Sequence, residues 1–202
     1  MLLVNKIISS VLEIIVVGLI PFIWWFVSAR KKEDFLQWIG LKKIEKKNRK
    51  SSLLCALAIS VLYMFISIFL LYIIKDIETA SSDFRGLGIR GLLPALVYAV
   101  FNTSLPEEIF FRGFLQKRLS NKLGYLAANI VQSSLFGLLH GVMFFGTVGV
   151  LKALMFIVYT GIIAFVMAYI NEKKANGSIL PSWIIHALSN IFVSVVAMFS
   201  II

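Results

Sequence analysis

Six side chains of this sequence combine acid, base and hydrogen-bonding chemistry at helical spacing, within stretches that are otherwise apolar. Glu107, Glu108 and Arg112 lie in LPEEIFFRG, His140 in FGLLHG, and His186 with Asn190 in SWIIHALSN. The two histidines are the chain's only ones, and neither sits in a loop-like segment. Residues four apart share a helix face, so Glu108 and Arg112 can pair, and the guanidinium can offer a bidentate fork. Glu107 points about 100° further round the helix and is left to face a cavity. His186 and Asn190, also four apart, present an imidazole and an amide together, while His140 comes from a separate helix.

One free carboxylate, two imidazoles and an amide, with an ion pair behind the carboxylate, meet the needs of peptide hydrolysis by activated water. The carboxylate takes a proton from water as general base. Imidazole and amide donors stabilise the oxyanion as the carbonyl becomes tetrahedral. The same residues admit a second chemistry, in which Glu107, His140 and His186 hold a zinc ion whose bound water attacks. The zincin pattern HExxH is absent, as is the GxSxG turn, and Cys55 has no base beside it in sequence, so nucleophilic catalysis has little to build on.

The elements that must position these groups are membrane helices. The chain is 202 residues long, 59% hydrophobic and 15% charged, with a mean hydropathy of +0.91, whereas soluble domains are about 45–50% apolar and about 25% charged. Uncharged stretches run from Ser51 to Ile74, Leu123 to Leu151, Ala153 to Asn171 and Ala175 to Ile202, and a bilayer core takes about 20 apolar residues. A soluble globular domain is excluded. The expected fold is all-α, a polytopic bundle of about six transmembrane helices forming one membrane domain over 1–202. The spans fall near Ile7–Val27, Ser52–Ile74, Leu92–Gln116, Tyr125–Phe145, Leu151–Ile170 and Ile179–Ile201. An ionisable residue inside such a span costs about 2.5–3.5 kcal/mol on insertion scales, which makes the three motifs functional candidates by default.

The net charge of +10 would suggest nucleic acid in a soluble protein. Here the basic residues sit between apolar spans, where they encode topology, and no nucleic-acid partner is expected. Fourteen Lys and Arg fall in the 28–51 loop and in the turns around Lys117 and Lys173, against five at the opposite end. The positive-inside rule then places the basic loop in the cytoplasm and both termini outside. Phe35, Leu36, Trp38, Ile39 and Leu41 are interspersed among the lysines of that loop, as in a short interfacial helix resting on headgroups. The Lys75–Gly91 segment, with five Gly and Ser, reads as the most flexible stretch. Glu13 reads as snorkelling or cavity-facing, Phe136 as packing beside His140, and Asn102 and Asn129 as interhelical hydrogen-bonding groups. Met143, Met155, Met167 and Met198 read as apolar fill. Counted from the basic end, His140 lies about 27 Å deep and Glu107 about 15 Å, so they meet only if the fourth helix projects by about seven residues.

EExxxR at Glu107–Arg112, FxxxH at Phe136–His140 and HxxxN at His186–Asn190, in this order and each on an apolar helix, resemble the CPBP intramembrane proteases. That family, also called Abi, comprises CAAX prenyl endopeptidases and bacteriocin-processing or immunity proteins. The resemblance covers about 92–202, the last four spans. It implies a hydrolase, an intramembrane endopeptidase in which Glu107 activates water, His140, His186 and Asn190 complete the site, and Glu108 and Arg112 support Glu107. It implies no established metal ligand, although such proteins are often labelled metalloproteases. No cofactor is therefore expected, with zinc as the alternative. The implied partners are the lipid bilayer and a peptide or membrane-protein substrate, admitted laterally or through a site opening towards the cytoplasm. The implied setting is a bacterial cell membrane, with a role in bacteriocin or peptide processing or self-immunity. A non-proteolytic immunity or scaffold protein is the reading from a different class. Nothing in the sequence sets an oligomeric state.

Overall fold

The computed structural model describes residues 1–75 and 77–202, and among them every regular element is helical. The elements are α1 (Leu2–Ser28), the single turn α2 (Phe35–Trp38), α3 (Lys46–Ile73), a continuous helical run α4 over 92–123, α5 (Tyr125–Val148), α6 (Val150–Lys174) and α7 (Leu180–Met198). Five of these, α1, α3, α5, α6 and α7, are long and apolar enough to cross a membrane. The remaining span expected from the sequence coincides with α4, which carries the charged motif and is broken into short α-helical and π-helical pieces. The outer faces of α1, α3, α5 and α6 expose Val, Leu, Ile and Phe, as suits contact with lipid tails. Inside, Asn129 Nδ2 donates to the Phe165 carbonyl at 3.1 Å and Gln132 Nε2 to that of Ala164 at 3.3 Å, tying α5 to α6. Such bonds and small-residue contacts bind membrane helices, because lipid is as apolar as the core.

The run α4 is not a uniform helix. Leu92–Val97, Leu105–Glu108 and Lys117–Leu123 are α-helical, and Tyr98–Ser104 and Ile109–Gln116 are wider π-helical stretches. Pro106 has no N–H to give the carbonyl one turn earlier, so the ladder is re-registered around it. Wide turns of this kind recur at functional sites because they re-aim side chains. Here they flank Glu107 and Glu108 on both sides.

The depth mismatch expected for His140 is resolved by a helical hairpin. Helix α4 continues past Gln116 to Leu123, turns at Gly124 with φ +77°, and α5 starts at Tyr125. Glu107 and His140 are nearly equidistant from that turn, each about 24 Å along its own helix. The start of α7 is recessed by comparison, with His186 six residues, or about 9 Å, from Leu180. Helix α5 is held against α6 by glycines. A Cβ on Gly137 would overlap the Ile157 carbonyl oxygen, and one on Gly141 would overlap the Ile157 side chain.

The basic loop departs from expectation. Its only helix is the one-turn α2, capped by Asp34 Oδ1 accepting from Gln37 N at 3.1 Å, and the residues from Lys46 already belong to α3. Trp38 and Ile39 are buried against Ile109, Phe114 and Ile179 rather than laid on a headgroup surface. Its few aromatic and aliphatic side chains, with a protein groove beside them, bury more apolar area folded inward than at an interface. The loop thus closes the basic end. Gly40 O accepts from Ile179 N at 2.9 Å, Ser178 Oγ donates to Lys42 O at 2.6 Å, and Arg118 stacks 3.9 Å over the Trp38 ring.

Candidate active site

The three motifs converge. Glu107 Oε2 lies 3.8 Å from His186 Nε2 and 4.0 Å from His140 Nε2. That oxygen is buried and has no hydrogen-bond partner among the described residues. Each imidazole is held by its other nitrogen. His140 Nδ1 lies 2.9 Å from the Phe136 carbonyl one turn back on α5. A carbonyl only accepts, so Nδ1 carries the proton there, and the Nε2 of a neutral His140 faces Glu107 as an acceptor. His186 Nδ1 lies 2.9 Å from Glu108 Oε1.

Glu108 is fully buried and serves two groups at once, since the same Oε1 lies 3.1 Å from Arg112 Nη1. The guanidinium does not form the bidentate fork the spacing allowed. Its Nη2 donates to Met167 Sδ at 3.7 Å, and its face stacks 4.2 Å from the Phe136 ring. Phe136 in turn lies 4.4 Å from the His140 ring and edge-on to Phe111 at 5.0 Å. Met167 is therefore more than apolar fill, and Phe136 packs beside His140 as its position suggested.

Asn190 is placed in the same cavity but is not a free donor. Its Nδ2 donates to Thr103 Oγ1 at 2.7 Å and approaches Ser104 Oγ at 3.3 Å. Thr103 and Ser104 lie one turn before Glu107 in the π-helical stretch, a spacing legible in the sequence that the motif reading passed over. Elsewhere, Asn102 accepts from Ser9 Oγ at 3.3 Å, an α1–α4 contact. Glu13 is exposed on the outer face of α1, away from these groups.

The site lies at the bottom of a cavity of about 710 Å³ whose walls are mostly apolar. Leu70, Phe144, Phe156 and Ile163 form much of the wall, and Ser81 and Thr147 lie at its far end. This corrects the expected mouth. The lining extends to the end that carries both termini, and none of it comes from the basic loops.

Glu107, His140 and His186 are zinc-ligand types, and both imidazoles have the outer hydrogen-bond partner usual for metal-bound histidine. Their spacing is wider than zinc requires: ligands at about 2.0–2.1 Å in tetrahedral geometry sit about 3.3 Å apart. Among the described residues no three His, Cys, Asp or Glu are grouped closely enough to hold a metal ion. As arranged, the three groups suit a small hydrogen-bonding molecule such as water.

The chain matches the family model described as type II CAAX prenyl endopeptidase Rce1-like over residues 89–192, a segment containing all three motifs. Comparison with curated proteins and with solved structures gives no match. The chain belongs to the Rce1-like family.

Proposed function

We propose that this member of the Rce1-like family is an intramembrane endopeptidase that hydrolyses a peptide bond with water activated by Glu107. The observation that carries the reading is the unpartnered, buried Glu107 Oε2 facing two imidazole Nε2 atoms at 3.8 and 4.0 Å. A water can hydrogen-bond to atoms so separated while remaining at ordinary distance from each.

In this mechanism Glu107 removes a proton from the water, and His140, whose Nδ1 proton is engaged by Phe136, accepts the second hydrogen bond through Nε2. The water oxygen bonds to the scissile carbonyl carbon, and the carbonyl π pair becomes an oxyanion. His186 is the group suited to meet it. Glu108 Oε1 accepts from its Nδ1 at 2.9 Å, which fixes the ring with Nε2 towards the reacting carbonyl, and the ring donates from Nε2 when it carries both protons. The Asn190 amide, turned from Ser104, supplies a second donor. Collapse of the tetrahedral intermediate breaks the C–N bond, and the proton held by Glu107 passes to the leaving amine. Arg112, 3.1 Å from Glu108, balances the second carboxylate without touching substrate. Should zinc be bound, Glu107, His140 and His186 would hold it and it would supply Lewis acidity.

The test is cleavage of a quenched fluorescent peptide library by the full chain in lipid vesicles. Glu107→Gln keeps side-chain shape but removes the base, so cleavage should fall to background while the protein remains folded. Turnover by Glu107→Gln at the wild-type rate refutes the mechanism. A folded wild-type chain that cleaves nothing favours the non-proteolytic immunity or scaffold reading.

A further inference from the structure

The walls of the cavity and the closure of the basic end together bear on where substrate enters. From Glu107 and His140 the cavity follows α5 through Met143 and Phe144 to Thr147, and α3 through Ser67 and Leu70 to Ile74. His140 lies eight residues, about 12 Å, from the end of α5 at Val148, against about 24 Å from the Gly124 turn. In the other direction the path is blocked by packed protein. Trp38 and Ile39 fill the space under Ile109 and Phe114, and a Cβ at Gly113 would sit 2.7 Å from the Ile39 carbonyl oxygen, so helix and loop touch backbone to backbone. Lys117 Nζ bridges Glu172 Oε1 and the Gly177 carbonyl, each at 2.8 Å, and locks the α6–α7 turn onto α4.

The closed end is also the basic one, bearing fourteen of the twenty Lys and Arg, against five at the open end. A bilayer-embedded chain keeps such an end in the cytoplasm. The cavity and the charge therefore point in opposite directions. We propose that the site is loaded from the face opposite the cytoplasm and that, on the protease reading above, its substrate is an apolar peptide segment presented at that face. The wall selects the chemistry: between the polar site and the polar rim of Glu78, Thr79, Ser81 and Thr147, the lining is mostly aliphatic and aromatic, and the hydroxyls of Ser67, Thr160 and Ser189 donate to carbonyls of their own helices. A chain of polar residues would lose its hydration there without replacement partners. A cytosolic polar peptide meets neither the entry nor the wall.

The experiment reads thiol accessibility and needs no hydrolysis. In full-length Cys55→Ala protein, single cysteines are placed in the site (His140→Cys), on the cavity wall (Val193→Cys) and on the basic loop (Lys47→Cys). A charged, membrane-impermeant methanethiosulfonate is applied to intact cells and to inside-out vesicles. The two cavity thiols should react at least tenfold faster in intact cells, and the loop thiol at least tenfold faster in inside-out vesicles. A leucine-rich synthetic decapeptide added outside should slow modification of Val193→Cys several-fold, and a serine-rich one should not. Cavity thiols that react faster from the cytoplasmic side, equally from both, or from neither overturn the proposed entry, as does a loop thiol labelled in intact cells. Equal protection by both peptides, or by neither, overturns the substrate class. Because these outcomes are independent of turnover, a failure here is distinct from cleavage by Glu107→Gln, which would defeat the hydrolytic mechanism and leave the entry side standing.

Discussion

Glu108 and Arg112 should dominate the stability of the site, whereas Glu107 should contribute almost nothing to it. Glu108 has 0% and Arg112 1% side-chain exposure, and their charged atoms are 3.1 Å apart. At an effective dielectric of about 20, that separation corresponds to about 5 kcal/mol of attraction. Removing one partner of a buried pair typically costs about 3–5 kcal/mol, because the survivor is left uncompensated. Arg112 would keep only the Met167 sulfur and the Phe136 ring, and its Nε has no hydrogen-bond partner among the described residues. Glu108→Ala and Arg112→Ala should therefore each lower the midpoint of thermal unfolding in detergent by roughly 6–20 °C, at about 2–4 °C per kcal/mol for a chain of this size. Glu107→Gln should move it by less than about 2 °C, since the oxygen it alters has no hydrogen bond to lose. The double variant Glu108→Leu/Arg112→Met replaces the pair with apolar side chains and should recover most of the stability, because hydrophobic substitutes for buried pairs are often neutral or better. It should not recover cleavage, because His186 Nδ1 has lost its carboxylate. The assay is intrinsic tryptophan fluorescence against temperature, beside the peptide assay. A double variant as unstable as the sum of its singles, or a Glu107→Gln protein less stable than either, would refute the division of labour between the carboxylates.

Thr103→Val removes the acceptor that holds the Asn190 amide at 2.7 Å; kcat should drop about tenfold, the equivalent of one hydrogen bond, with KM nearly unchanged, while Thr103→Ser restores it. Gly137→Ala forces α5 away from the Ile157 carbonyl; it should cost about 1–3 kcal/mol in stability and lower cleavage through the shifted His140, whereas Gly146→Ala, where a Cβ meets nothing, should be silent in both assays. Cleavage should survive exhaustive chelation, and elemental analysis of the purified chain should find no stoichiometric zinc. One zinc per chain, lost with activity and restored with it, would replace the proposed mechanism.

How far these features were legible depends on whether they are local. Helix spacing alone paired Glu108 with Arg112 and turned Glu107 away from them, because residues one and four apart on a helix have fixed relations. The same logic could have found Thr103 and Ser104, one turn before Glu107, and the Gly137–Gly141 spacing that lets α5 approach α6. Other features required the third dimension. That His186 rests on Glu108, 78 residues away, depends on how α7 packs across α4. The inward fold of Trp38 and Ile39 was hidden because an apolar run bracketed by lysines suits a headgroup surface and a protein groove equally well. The direction of the cavity was hidden for a related reason. Hydropathy marks which residues are apolar, but not which end of a bundle its loops cover.

The charges of the site explain why its parts are arranged as a stack rather than a ring. Two carboxylates and one guanidinium in a poorly polarisable interior leave one negative charge to be balanced, and the nearest groups able to carry a proton are the imidazoles and Glu107 itself. If all remained unprotonated, Glu107 Oε2 and both Nε2 atoms would point lone pairs at one another across 3.8 to 4.0 Å, which is unfavourable unless something with hydrogens or positive charge lies between. The two imidazoles are held differently: Glu108, a carboxylate, accepts from His186 Nδ1, whereas a neutral carbonyl, that of Phe136, accepts from His140 Nδ1. On the proposed mechanism the two histidines are therefore unlike, His186 meeting the oxyanion and His140 the attacking water, and Arg112, 3.1 Å from Glu108, balances the carboxylate that holds His186. Pro106 and the π-helical turns then bring Glu107 to the opening between them.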